Sequence, residues 1–240
     1  MNISKILVAT FSITLLSGCE HDLLSSHSLN RECQNNIASA CRGPLPMPKG
    51  SYKDGKREGP WEIYYVSGNL ESKGSYKDGQ KEGPWEIYYN SGKLWSEGSY
   101  KDGKLDGPWV EYHDPNDDIV PRMGKHGRLK SEGSFKDGKP DGPWEWYHEN
   151  GQLKQKGSYK DGKVTDGPFE VFHRNGELWQ KGSYKDGLRD GLWEYHWGSI
   201  LFTPSSLKSK GSFKDGARVG PWEYYYRDGS SREYRPDWDD

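Results

Sequence analysis

Apolar and polar residues alternate over most of this chain, in short runs. In Trp61-Glu62-Ile63-Tyr64-Tyr65 the positions 61, 63 and 65 share one face. In the run from Leu70 to Tyr76, the residues Leu70, Ser72, Gly74 and Tyr76 share one face and Glu71, Lys73 and Ser75 the other. A period of two over five to seven residues predicts half-buried β-strands. Two kinds of turn punctuate the runs. One is Asp-Gly, as at Asp54-Gly55 and Asp78-Gly79. The other is Ser-Gly or Asn-Gly, as at Ser67-Gly68, Ser91-Gly92, Asn150-Gly151 and Asn175-Gly176. Glycine supplies the positive φ that tight hairpin turns require. Two Gly-rich turns in so short a segment disfavour helix.

The same hairpin is written seven times. "GSYKDGQKEGPWEIYYNSG" at 74–92 has close copies opening at Gly50, Gly98, Gly133, Gly157, Gly182 and Gly211. A near-constant period of this size predicts stacked repeats, so the fold class expected is all-β: an elongated, single-layer antiparallel sheet of about seven stacked β-hairpins over residues 50–230. Stacking places Trp61, Trp85, Trp109, Trp144, Trp193 and Trp222 in one column, the expected repeat core, with Tyr52, Tyr76 and Tyr100 filling the gaps. Tyr64, Tyr88 and Tyr112 fall on the opposite face and are candidate binding residues. Two units carry insertions, near "DPNDDIVPRMGKHG" and "SILFTPSS", which are candidate specificity loops. Residues 231–240 read as an acidic tail.

Composition changes the picture in one respect. Leu, Ile, Val and Phe are 38 of 240 residues, which for a charged chain suggests disorder. The formal charge of −2 and the 11 Trp and 16 Tyr oppose that. The core expected is therefore an aromatic lining, not an aliphatic interior. A balanced charge also gives no basic field for nucleic acid.

The first eighteen residues have another character. Lys5 precedes an apolar run from Ile6 to Leu16, too short to span a bilayer and suited to a signal peptide. It ends in Leu16-Ser17-Gly18-Cys19, which resembles the lipobox of bacterial lipoproteins. The resemblance implies cleavage after Gly18 and acylation of Cys19, with palmitate-like chains anchoring the protein to a membrane. It implies a bacterial cell-envelope address and, with Glu20 at the next position, the outer membrane if the source is Gram-negative. Residues 19–49 then read as the lipidated cysteine and a tether. Within it Cys33 and Cys41 could form a disulfide or remain two thiols.

The repeat resembles the MORN repeat in its bacterial variant form. The residues that carry this are aromatic-Lys-Asp-Gly followed by Gly-x-aromatic, as in Tyr76-Lys77-Asp78-Gly79 and Gly83-Pro84-Trp85, with Tyr88 and Gly92-Lys93-Leu94 closing the unit. The family fold implied is a meander of hairpins in one long sheet. The resemblance to bacterial members implies an antitoxin-like or immunity-like protein that binds a partner toxin.

No arrangement for catalysis stands out. His113, His148 and His173 share the column of Tyr65 and Tyr89, but equivalent positions lie about 9.6 Å apart, too far for one metal ion. The acids before "GPW" (Glu58, Glu82, Asp106, Asp141, Asp166, Asp190) follow the repeat and are read as balancing the lysines of "KDG". There is no Gly-x-Ser-x-Gly elbow, and each "KDG" leads into a strand where a phosphate loop needs a helix. No catalytic residue, cofactor or metal is expected. The function expected is a membrane-anchored protein-interaction scaffold; the alternative is a glycan- or cell-wall-binding module using exposed aromatics.

Overall fold

A computed structural model describes residues 45–114, 127–200 and 204–232. Gly18, Cys19, Cys33 and Cys41, most of the first insertion, part of the second and the tail from 233 lie outside the described residues.

All regular structure among the described residues is β, in one 17-stranded sheet. The first three hairpins are β1 (Lys49–Lys53) with β2 (Lys56–Tyr64), β3 (Leu70–Lys77) with β4 (Gln80–Tyr88), and β5 (Leu94–Lys101) with β6 (Lys104–Tyr112). The fourth is β7 (Leu129–Lys136) with β8 (Lys139–Pro140) and β9 (Gly142–Tyr147). The fifth is β10 (Leu153–Lys160) with β11 (Lys163–Val164) and β12 (Gly167–Phe172). The sixth is β13 (Leu178–Lys185) with β14 (Leu188–Trp197), and the seventh β15 (Ser206–Lys214) with β16 (Ala217–Tyr225). A two-residue β17 (Ser231–Arg232) follows, so the sheet reaches into the segment expected to be tail. Neighbours in sequence pair antiparallel, within hairpins and between them.

The turns explain the register. In all seven "KDG" turns Asp has φ of 48–52° and the following Gly is also positive, the requirement of a two-residue type I′ hairpin. Asp tolerates that region better than most residues. The second turn is longer than its Ser-Gly pair suggests. The Gly68 amide donates to Tyr65 O at 2.9 Å and the Tyr65 amide to Asn69 O at 2.9 Å, enclosing a three-residue loop in which only Gly68 has positive φ. That is the loop of a type I turn closed by a left-handed glycine.

Gly-Pro-Trp makes a bulge. Lys73 pairs with Glu86 and Ser75 with Glu82, so Gly83, Pro84 and Trp85 together oppose Gly74. Gly83 has φ +71°. Proline, which has no N–H, sits where this ladder is already interrupted. A second irregularity, at Glu71, alters one expectation: Leu70 pairs with Tyr64, while Ser72 and Gly74 pair with Ile63 and Trp61. Leu70 therefore departs from the simple alternation that grouped it with Ser72.

The bulge throws each indole back across its own hairpin. A Cβ on Gly74 would lie 2.2 Å from Trp85, and Gly50, Gly133 and Gly182 are covered in the same way by Trp61, Trp144 and Trp193. The opening glycine of each unit is thus the floor on which the indole lies. Trp85 Nε1 donates to Ser75 O at 3.1 Å, and Trp61, Trp144 and Trp193 make the equivalent bond. Tyr52, Trp61, Tyr76, Trp85, Tyr100, Trp109, Phe135 and Trp144 continue edge to face, with ring centroids 5.0–6.2 Å apart. Each such contact contributes about 0.5–1.5 kcal/mol beyond area burial. Phe169 takes the tryptophan position in the fifth unit. Trp61, Trp85, Trp109, Trp144 and Trp193 are buried, while Trp222 in the last unit is only half-buried.

Candidate binding surface

Pairing fixes two faces. Trp61 with Gly74 and Ile63 with Ser72 belong to the aromatic face; Pro60 with Ser75 and Glu62 with Lys73 belong to the other. On that second face one row crosses the whole sheet. It runs Lys49, Glu62, Lys73, Glu86 and, beyond the middle, Lys156, Glu170, Lys181, Glu194, Lys210 and Glu223, each opposite the next. Opposite charges on adjacent strands attract. The ammonium-to-carboxylate distances are 2.9 Å for Lys73–Glu86 and Lys156–Glu170, 3.0 Å for Lys181–Glu194 and 3.2 Å for Lys210–Glu223.

Tyr64, Tyr88 and Tyr112 flank this row. All three are half-buried. The Tyr64 hydroxyl donates to Glu62, that of Tyr88 to Glu86, and that of Tyr112 to Glu97 at 3.1 Å. Tyr147 and Tyr225 repeat the arrangement with Glu145 and Glu223. The electrostatics follow. The Tyr64 hydroxyl, with Lys49 nearby, lowers the Glu62 carboxyl below its ordinary range. The Glu86 carboxylate raises the Lys73 ammonium, and burial raises the Tyr88 phenol. A shallow groove of about 680 Å³ lies over the first two units, its floor including Pro60, Ser75 and Pro84 and its walls Lys49, Glu62, Lys73 and Glu86.

The row loses its alternation in the middle. Glu97 and Glu132 stand where other units carry lysine, and Val110 stands where they carry glutamate. Glu86 thus faces Glu97, and Glu132 faces Glu145. The order "WVEY" in the third unit, against "WEIY" in the second and "WEWY" in the fourth, is what puts Val110 in the row. It sends Glu111 to the aromatic face, where it accepts from Trp109 Nε1 at 3.3 Å and Ser131 Oγ at 3.3 Å. Lys130 pairs with it at 3.3 Å. The signal was present in the sequence as a transposed pair.

The aromatic face is covered in part by cations. Arg57 lies 4.7 Å from the Trp61 ring and 5.1 Å from Tyr76; Lys81 lies 4.2 Å from Trp85 and 4.9 Å from Tyr100. Arg189 and Arg218 cover Trp193 and Trp222 likewise. Burial lowers the Lys81 ammonium. In the middle units Leu105, Pro140 and Val164 take this place.

The repeating acids do more than balance lysine. Glu58 accepts the Asp78 amide of the next unit at 2.9 Å, Glu82 that of Asp102 at 3.0 Å, and Asp166 that of Asp186 at 2.7 Å. Ion pairs to the "KDG" lysines occur at Asp141–Lys160 and Asp190–Lys214. The Tyr/His column also ties unit to unit. Tyr65 and Tyr89 donate to Tyr88 O and Tyr112 O, and His113 and His148 Nε2 stand 3.1 Å from Tyr147 O and Phe172 O. A carbonyl only accepts, so these imidazoles carry hydrogen on Nε2. Among the described residues no cluster of His, Cys, Asp and Glu is arranged to hold a metal ion.

No curated protein matches the chain in sequence. A family model described as the MORN repeat variant matches residues 57–78, 81–102, 140–161 and 165–186. Each match begins in the second arm of one hairpin and ends in the "KDG" turn of the next, so the family unit spans the junction between two hairpins. Repeats of this kind are consistent with a repeat protein-interaction module. The matched repeats and the single open sheet of hairpins identify the chain as a MORN-repeat protein.

Proposed function

We propose that this protein is a non-enzymatic interaction scaffold of the antitoxin or immunity kind, held at a bacterial envelope membrane by acyl chains on Cys19, whose charged face receives a protein partner. The observation that carries the reading is the Lys–Glu row that alternates over both ends of the sheet, with its bonded tyrosines. Alternating charges one strand apart offer fixed, directional contacts to a polypeptide and little to a uniform polyanion. The aromatic face supports a sugar platform less well. Its rings meet edge to face and lie under Arg57 and Lys81, whereas sugar stacking needs open ring faces. The anchor rests on the Leu16-Ser17-Gly18-Cys19 box.

Two experiments test the reading. A photo-crosslinking amino acid in place of Tyr88, in cells making the full chain, should yield a discrete protein adduct. Adducts with glycan alone, or none, would reject the scaffold. Separately, Cys19→Ser should abolish incorporation of a fatty-acid analogue; unchanged labelling would reject lipidation.

A further inference from the structure

The two ends of the sheet are the two halves of one junction. Between hairpins, a Gly-Pro-Trp-Glu or closely related strand meets a Lys-Gly-Ser-Tyr or related strand. In the first such junction Gly59 pairs with Tyr76, Pro60 with Ser75, Trp61 with Gly74 and Glu62 with Lys73. At one end of the sheet β1 offers Lys49-Gly50-Ser51-Tyr52 and, among the described residues, pairs only with β2. At the other end β16 offers Gly220-Pro221-Trp222-Glu223, and among the described residues β17 pairs with it at Tyr224 and Tyr225 alone.

The end residues carry the marks of an unfinished contact. Tyr76, between two indoles, is 8% exposed, whereas Tyr52, against Trp61 alone among the described residues, is 63% exposed. Among the described residues Trp222 meets Phe213 edge to face on one side and is only half-buried, whereas Trp61, Trp85, Trp109, Trp144 and Trp193 are buried. Arg57, Lys81 and Arg189 each cover an indole and the next ring of the following unit; Arg218 covers Trp222. The Gly79 amide donates to Arg57 O of the preceding unit at 3.0 Å, and the Gly216 amide to Arg189 O at 3.0 Å. Gly55 has no preceding unit among the described residues.

We propose that a second copy of this chain docks end to end, β1 of one copy pairing with β16 of the next. Tyr52 then meets Trp222, Gly50 lies opposite Trp222, and Lys49 faces Glu223 with opposite charge. One bond of the internal junctions is missing: Val219 replaces the carboxylate that would receive the Asp54 amide. The contact is therefore weaker than an internal one and depends on concentration. Because the two surfaces differ, association continues as an open series and does not close at a dimer.

Sedimentation of the full chain over a range of concentrations tests this. Masses should rise through dimer, trimer and higher steps. Lys49→Glu and Glu223→Lys should each weaken association by roughly five-fold, and the two together should restore it. Both side chains are exposed, so the fold should be unchanged. A monomer at every concentration, or a dimer indifferent to both changes, would overturn the proposal. So would association seen only after removal of residues 233–240, which would assign the β16 edge to the chain's own tail.

Discussion

Gly74 and Trp85 act as one unit at the scale of single residues. The indole lies where a Cβ on Gly74 would stand, and its N–H reaches the carbonyl of the next residue, Ser75. Replacing Trp85 with Ala should cost about 3–5 kcal/mol, as for other large-to-small changes in a packed site. Gly74→Ala should cost about 1–3 kcal/mol through overpacking. The two costs should not add. With Trp85 already replaced, the extra methyl has room, so Gly74→Ala should become nearly neutral. Urea denaturation of the four proteins measures this, and an equal glycine cost in both backgrounds would refute the contact as the reason for glycine. Tyr88 presents the contrasting case. It is half-buried, with its hydroxyl spent on Glu86, so Tyr88→Ala should leave most of the stability intact.

Strands and turns hold together through bonds that join one hairpin to the next. Glu82 shows the principle. Its carboxylate receives the Asp102 amide at the tip of the following turn, where Asp102 is held at φ 48°. Glu82→Ala should cost about 0.5–1.5 kcal/mol. Its specific signature is faster hydrogen exchange at the Asp102 amide, with little change at Asp78, whose amide is held by Glu58. A uniform increase along the sheet would instead mean that Glu82 contributes only to global stability. The same reasoning explains why these acids recur. The constraint is on the neighbouring turn, and each unit has one such turn to serve.

For the molecule as a whole, stability is a series of junctions between neighbours, with no second layer among the described residues to share the load. Many of those junctions include carboxylates held below their ordinary range. The Tyr64 hydroxyl lowers Glu62, the Lys160 ammonium lowers Asp141, and the Tyr225 hydroxyl lowers Glu223. A lowered folded-state value means that the unfolded chain binds protons first as pH falls. The stabilisation is then complete above the ordinary glutamate value of 4.5 and is lost below it, as pH drops through the folded values. The melting temperature should accordingly be steady from pH 7 to about 5 and fall below that. A flat profile down to pH 3 would show that the Lys–Glu–Tyr row contributes nothing to folding.

Period-two alternation, the Asp-Gly turns and the sevenfold recurrence were enough to write down hairpins, their order and a single sheet, because each depends on residues close together in the chain. The Trp column was legible for the same reason. What lay beyond the sequence depends on how one strand is aligned against another. Alternation placed Leu70 with Ser72, but the bulge at Glu71 set it opposite Tyr64. Glu58 reads as a counter-charge until the next turn is seen to bring the Asp78 amide to it. Tyr64 and Tyr88 were visible as a column, yet the Lys–Glu row beside them appears only when strand pairing aligns positions 49, 62, 73 and 86. Register is a property of two strands together, and only the assembled sheet fixes it.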